Sequence, residues 1–289
     1  MSARTPFGAR LAAAMADVGP VCVGIDPHAS LLSSWGLSDD ASGVRDFALR
    51  TLEAVAGHVA AVKPQAAFFE RHGSAGVAVL EEVVAGCREL GVLCVVDAKR
   101  GDIGSTMAAY ADAFLREGSP LAGDALTVSP YLGFGSLDPA VELARQTGRG
   151  LFVLALTSNP EGAEVQHAVG PDGRSVARSV AESAARLNAA EVAAHGGTLG
   201  SVGLVVGATV GDAVRDLDVD LVGVGGALLA PGVGAQGAGR DELVQVFGAA
   251  RSAVLASTSR AVLGAGPDVD ALRAAARAAV SEARSALRD

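Results

Sequence analysis

The chain has 289 residues, 50% of them hydrophobic and 19% charged, a composition that can bury a sizeable core and excludes global disorder. Aromatic residues make up only 4%, so the core must be built from Ala, Val and Leu. A formal net charge of −9 argues against nucleic acid as a partner, and no apolar run reaches the ~18 residues that span a bilayer.

Residues 1–19 hold an apolar stretch interrupted by Arg4, Arg10 and Asp17, without a secretory or membrane signal. Cys22, Cys87 and Cys94 form no C-x-x-C pair and, being odd in number, no closed disulfide framework; a reducing, cytoplasmic setting is the expectation. From there, short β-branched runs ending in polar residues alternate with Ala-rich amphipathic segments. Strands are predicted at 21–26, 59–63, 92–99, 125–129, 151–157, 203–208, within 221–230, and at 253–256. Between the second and third, Val77, Leu80, Val83, Val84, Cys87 and Leu90 recur at 3–4 spacing and predict a helix over 76–90. Helices are also predicted over 176–194 and 268–287. The segment at about 158–201 is long for one connection, and Gly170-Pro171-Asp172-Gly173 marks a turn inside it. Eight strand-helix units with no linker predict an α/β fold, a (β/α)8 TIM barrel forming a single domain over 1–289, with an extended loop region at about 158–201.

The rival is an open doubly wound sheet, because Gly232–Gly237 reads G-x-G-x-x-G. A dinucleotide site needs an acid about 20 residues past that motif. Nothing acidic lies between Glu242 and Asp268, and Pro231 precedes the motif, so Pro231–Gly237 reads as a mobile loop that covers a phosphate or, taken alone, as a glycine-rich turn without a ligand.

Charged residues close the first three strands, where barrel enzymes carry their chemistry. Asp26 follows VCVGI, Lys63 follows HVAAV, and Asp97 with Lys99 ends LCVVDAK ahead of Arg100 and Asp102. Residues 97 and 99 are two apart, so a strand points both to one side. Any one of these groups alone reads more readily as an ion pair tying strand ends together. Four of them at neighbouring strand ends favour a functional site. Glu70, after Phe68-Phe69, is open to two readings, an assisting acid or a solvated one. His28, His58, His72, His167 and His195 have no metal-ligand spacing, and no metal is expected.

The segment Asp97-Ala-Lys99-Arg-Gly-Asp102-Ile-Gly-Ser-Thr106 resembles the D-x-K-x-x-D-I-x-x-T signature of the orotidine 5′-phosphate decarboxylase family. Asp26, Lys63-Pro-Gln, Thr157-Ser158-Asn-Pro, Pro231-Gly-Val-Gly-Ala-Gln236 and Ser259-Arg260 follow in the family's order, so the likeness runs over nearly the whole chain. Its length, KPQAAFFE and the long segment after the fifth strand are similar to a longer bacterial subgroup. Compact members commonly read Gly-Arg where this chain has Ser259-Arg260.

The resemblance implies cofactor-free and metal-free conversion of orotidine 5′-phosphate to UMP and CO2, in pyrimidine biosynthesis. Lys99 would protonate C6, Asp97 would lie beside the substrate carboxylate, and Lys63 would complete the charged array with an Asp102 supplied by the other subunit of a homodimer. Asp26, Lys63 and a second-subunit Thr106 would hold the ribose, and Ser158 the pyrimidine. Pro231, Gln236, Ser259 and Arg260 would form the phosphate end. Two other readings are a Mg2+-dependent sugar-phosphate decarboxylase or synthase of the same barrel superfamily, and a nucleotide-binding barrel without catalysis. The former uses an acidic metal ligand from the second strand, where this chain offers Lys63.

Overall fold

A computed structural model describes residues 4–234 and 237–288. Eight parallel strands close into a barrel in chain order: β1 (Val21–Ile25), β2 (Ala61–Pro64), β3 (Leu93–Arg100), β4 (Ala125–Val128), β5 (Gly150–Leu156), β6 (Gly200–Val206), β7 (Gly226–Pro231) and β8 (Val254–Thr258). Pairing of β1 with β8, Cys22 opposite Ser257, seals the ring. Helices flank the strands, among them α1 (Phe7–Val18), α2 (Ala41–Val55), α3 (Ala66–Glu70), α4 (Gly73–Leu90), α5 (Gly104–Leu115), α6 (Asp138–Thr147), α7 (Val176–His195), α8 (Arg240–Phe247) and α9 (Val269–Leu287). This is the single-domain (β/α)8 barrel that the strand-helix rhythm predicts.

Nearly every strand residue is buried, because one face meets the helices and the other fills the barrel. Two apolar clusters result. The larger lies between strands and helices. The smaller joins inward residues such as Val95, Phe152 and Leu255 to Phe7 and Leu11 of α1. Helix α1 precedes the first strand and covers the floor of the barrel. Its Phe7 ring meets Phe152 edge-on at 6.0 Å, and the Gly8 N–H donates to Ser201 Oγ at 3.0 Å. A Cβ on Gly8 would lie 2.3 Å from the Leu199 carbonyl oxygen, so glycine permits the close approach.

The predicted elements shift in places. Strand β6 starts at Gly200, three residues before the predicted 203, and ends at Val206. Its glycines resemble loop residues, yet a Cβ on Gly203 would stand 2.5 Å from both the Phe152 ring and the Ala227 carbonyl oxygen. Glycine there makes room for an aromatic core residue. Helix α4 begins at Gly73 and buries Val79, Leu80, Val83, Val84 and Cys87, whereas Leu90 is exposed at its end, where Gly91 adopts φ 70°. Helix α9 begins one residue after Asp268, whose carboxylate caps it by accepting from the Ala271 N–H at 2.8 Å. The 158–201 segment contains a short helical turn over Ala163–Gln166, a bridge between Val169 and Ser175, and α7.

Candidate active site

The carboxyl ends of the strands surround a cavity of about 570 Å3. Asp26, Lys63, Asp97, Lys99, Pro231, Ser259 and Arg260 line it, seven of the residues singled out from sequence. Asp102, Thr106 and Ser158 do not line it in the single chain; Gln236 lies outside the described residues.

Asp97 organises the charged half. Its Oδ2 accepts from Lys63 Nζ at 2.6 Å and Gln65 Nε2 at 3.0 Å. Its Oδ1 accepts from Lys99 Nζ at 2.6 Å and the Thr127 hydroxyl at 2.8 Å. Four donors thus fix one buried carboxylate. Burial alone would raise the Asp97 pKa, but the Lys63 and Lys99 ammonium groups outweigh it and hold the carboxyl at about 2. Burial likewise opposes the charge on Lys63, and Asp97, then Asp26, raise its pKa above the ordinary lysine value. Lys63 and Asp97 are closed in, while Lys99 remains 44% exposed at the cavity. The array therefore presents one ammonium to a bound molecule, backed by a buried ion pair.

Strand parity predicts that Asp97 and Lys99 face one way. They do meet, but through a less regular backbone. The β3–β4 register shifts between Val96 and Arg100, and Lys99 adopts φ 47°. That left-handed conformation is costly for a residue with a Cβ and occurs where the surroundings impose it. The Lys99 N–H donates to Thr127 Oγ1 at 2.9 Å.

Asp26 stands beside this array, at the end of β1 next to Lys63 of β2. Its Oδ1 is buried without a hydrogen-bond partner among the described residues, which leaves an acceptor available to a hydroxyl-bearing ligand. A Cβ on Gly24 would lie 2.8 Å from both Asp26 Oδ2 and Ser259 Cβ, so glycine lets these side chains come together. At the far end, Pro231, Gly232, Val233, Gly234 and Gly237 border the cavity beside Ser259 and Arg260. Gly232 and Gly234 have φ 90° and 115°, conformations that glycine adopts readily.

Thr127, Ser257, Thr258 and the apolar Leu154, Val205 and Leu229 also line the cavity but carry no assigned role from sequence. The signal for Thr127 is a polar residue inside an otherwise apolar strand. Gln65 falls within the quoted Lys63-Pro-Gln segment without a role of its own. Glu70 pairs with Arg100, whose guanidinium lies 5.6 Å and 5.5 Å from the Tyr110 and Phe114 ring centroids, outside the cavity lining. Asp102 Oδ1 accepts from the Ile103 N–H at 2.8 Å, and Thr106 is exposed. Among the described residues, no group of three or more His, Cys, Asp or Glu side chains gathers as a cation site.

A parallel barrel with paired lysines and an aspartate at its strand ends, opposite an arginine beside a glycine-rich loop, places the chain among barrel enzymes, whose active sites lie at this face. Residues 19–275 match the Orotidine 5′-phosphate decarboxylase / HUMPS family. The chain is 60% identical over 282 residues to orotidine 5′-phosphate decarboxylase of Streptomyces coelicolor, covering 98% of each, and 56% identical to that of Salinispora arenicola, covering 97% and 98%. Its fold superposes on a crystal structure from Streptomyces avermitilis, provisionally named as the same enzyme, with TM-score 0.93 and 61% identity over 99% and 97% of the two chains. For Leishmania donovani OMP decarboxylase the values are 0.74 and 31% over 98% and 99%. The chain belongs to the orotidine 5′-phosphate decarboxylase family, and is a carboxy-lyase.

Proposed function

We propose that this chain converts orotidine 5′-phosphate to UMP and CO2 through a C6 carbanion-like species that Lys99 protonates. The single observation carrying this reading is the Lys63–Asp97–Lys99 array, with one ammonium open to the cavity. As the C6–carboxylate bond breaks, its electron pair stays on C6 and CO2 departs. An ammonium held beside C6 gains interaction energy as that charge develops, which lowers the barrier. Lys99 then gives its proton to C6 and regains one from water. Asp97, beside the substrate carboxylate, positions Lys99.

The partner subunit's Asp102 completes the array, and the partner subunit's Thr106 joins Asp26 and Lys63 at the ribose. Ser158 contacts the pyrimidine. Arg260 binds the phosphate with its planar donors, with Ser259 and with Pro231 and Gln236 of the glycine-rich loop. Closure of that loop spends remote binding energy on excluding water. Exposed Ile103, Tyr131 and Leu132 support a homodimer. The second strand offers the ammonium of Lys63, which repels a divalent cation and supports the metal-free reading over the Mg2+-dependent one. No helix among the described residues is long and apolar enough to cross a membrane. The buried free thiols and the −9 charge support a cytoplasmic protein without a nucleic-acid partner. The chain is one barrel domain over its length, with residues about 158–201 its extended connection.

Absorbance of purified protein with orotidine 5′-phosphate, with and without EDTA, tests this function. EDTA-resistant UMP formation is expected, and Lys99→Ala is expected to lose turnover by several powers of ten while still binding UMP. EDTA-sensitive activity on a sugar phosphate would identify the alternative barrel chemistry, and UMP binding without turnover a non-catalytic one.

A further inference from the structure

We propose that Thr127 is a positioning residue for the decarboxylation, setting the angle at which Lys99 meets the substrate. This rests on the functional reading above and adds a determinant outside the charged array. The Thr127 side chain sits at the inner face of β4 and is 1% exposed. One oxygen performs two tasks there. It accepts from the Lys99 N–H at 2.9 Å and donates to Asp97 Oδ1 at 2.8 Å. A hydroxyl is the small group that can do both at once.

The two bonds act on the parts of β3 that matter. Between Val96 and Arg100 the strand leaves its register with β4, so the regular ladder no longer dictates where Lys99 lies. Lys99 also stands at φ 47°, a left-handed conformation that persists only where neighbours impose it. Its amide donates instead to a side chain of the adjacent strand, Thr127 Oγ1. The same hydroxyl orients the carboxylate oxygen that Lys99 Nζ grips at 2.6 Å. Thr127 therefore holds the lysine from its backbone and, through Asp97, from its ammonium. Reaction geometry is sensitive to displacements of about 1 Å, so loosening both holds slows chemistry more than binding.

Thr127→Val keeps the shape and removes the hydroxyl, and Thr127→Ser keeps the hydroxyl and removes the methyl group. For Thr127→Val, kcat is expected to fall at least about tenfold, with KM and UMP affinity changed by less than about threefold. The acid limb of its pH profile is expected to move up, because Asp97 loses a donor to its ionised form. Thr127→Ser is expected to restore kcat to within about threefold of the parent. A Thr127→Val enzyme with parental kcat and acid limb overturns the proposal. So does a Thr127→Ser enzyme as slow as Thr127→Val, since the methyl contact would then be the cause. A chain that folds only with the hydroxyl assigns Thr127 to stability and also overturns it.

A crystal structure of Thr127→Val gives a readout free of the assigned reaction. Lys99 is expected to leave its left-handed conformation or its contact with Asp97; an unchanged Lys99 refutes the positioning role. Failure of the functional reading would appear separately, as a parent enzyme without turnover of orotidine 5′-phosphate.

Discussion

At the residue scale, Asp97 decides whether the array is charged. With its carboxyl held at about 2 against an ordinary 3.8, the native state binds fewer protons than the unfolded chain as pH falls. Its contribution is therefore present above about pH 4 and lost as pH drops through about 2, and integrates to roughly 2 kcal/mol. Lys63 has the opposite sense: its raised pKa favours folding below the ordinary lysine value and loses that contribution as pH climbs past the folded one. Asp97→Asn leaves Lys63 buried without its hydrogen-bonded counter-charge, and is expected to cost about 3–5 kcal/mol near neutral pH. Urea unfolding of both proteins over about pH 2–5 checks the sign: the gap between them is expected to narrow on acidification. A gap independent of pH would show that the Asp97 carboxyl is not held acidic by folding. Lys63, Asp97 and Lys99 are legible in the sequence because a charge closing an apolar strand is costly unless it has a task. Thr127 carries a weaker signal, a polar residue in an apolar strand, because a threonine is also an ordinary strand residue. Leu154, Val205 and Leu229 are indistinguishable in composition from the barrel core they continue.

At the scale of elements, the strands are legible where β-branched runs are unbroken and shift where packing demands glycine. Strand β6 is the clear case: Gly200 and Gly203 interrupt its apolar pattern, yet the space over Gly203 belongs to the Phe152 ring. The role of α1 is still less visible. An apolar stretch ahead of the first strand has no local mark stating which end of the barrel it covers. Its Phe7 is 1% exposed against the barrel interior, so Phe7→Ala opens a cavity and is expected to cost about 3–5 kcal/mol in thermal or denaturant unfolding. Phe7 lies at the opposite end from the charged array. Below the melting transition, kcat/KM of this variant is expected to stay within about threefold of the parent. Lost turnover in a fully stable variant would mean that α1 communicates with the site instead of closing the core.

At the scale of the whole molecule, the cavity gathers positive groups although the chain is acidic by −9. Lys63, Lys99 and Arg260 are concentrated at one mouth, and it is the local field that an anionic ligand would meet. The single chain leaves Asp102 and Thr106 outside that mouth, on the connection and helix after β3. Close by in sequence or on the next strand-helix connection, Ile103, Tyr131 and Leu132 are 61%, 74% and 52% exposed. Exposed apolar side chains near polar residues left out of the cavity fit a face that a second copy covers. The proposed dimer then makes a distinct prediction for mixed subunits. Lys99→Ala and Asp102→Ala homodimers each lack one member of every site. A heterodimer of the two has one doubly deficient site and one intact site, combining Lys99 of one subunit with Asp102 of the other. Refolding or coexpression of the two variants is therefore expected to restore activity that neither has alone, with light scattering reporting the dimer. Verified heterodimers with no more activity than their parents would show that Asp102 serves the site of its own chain. A fully active monomer would remove the shared site altogether.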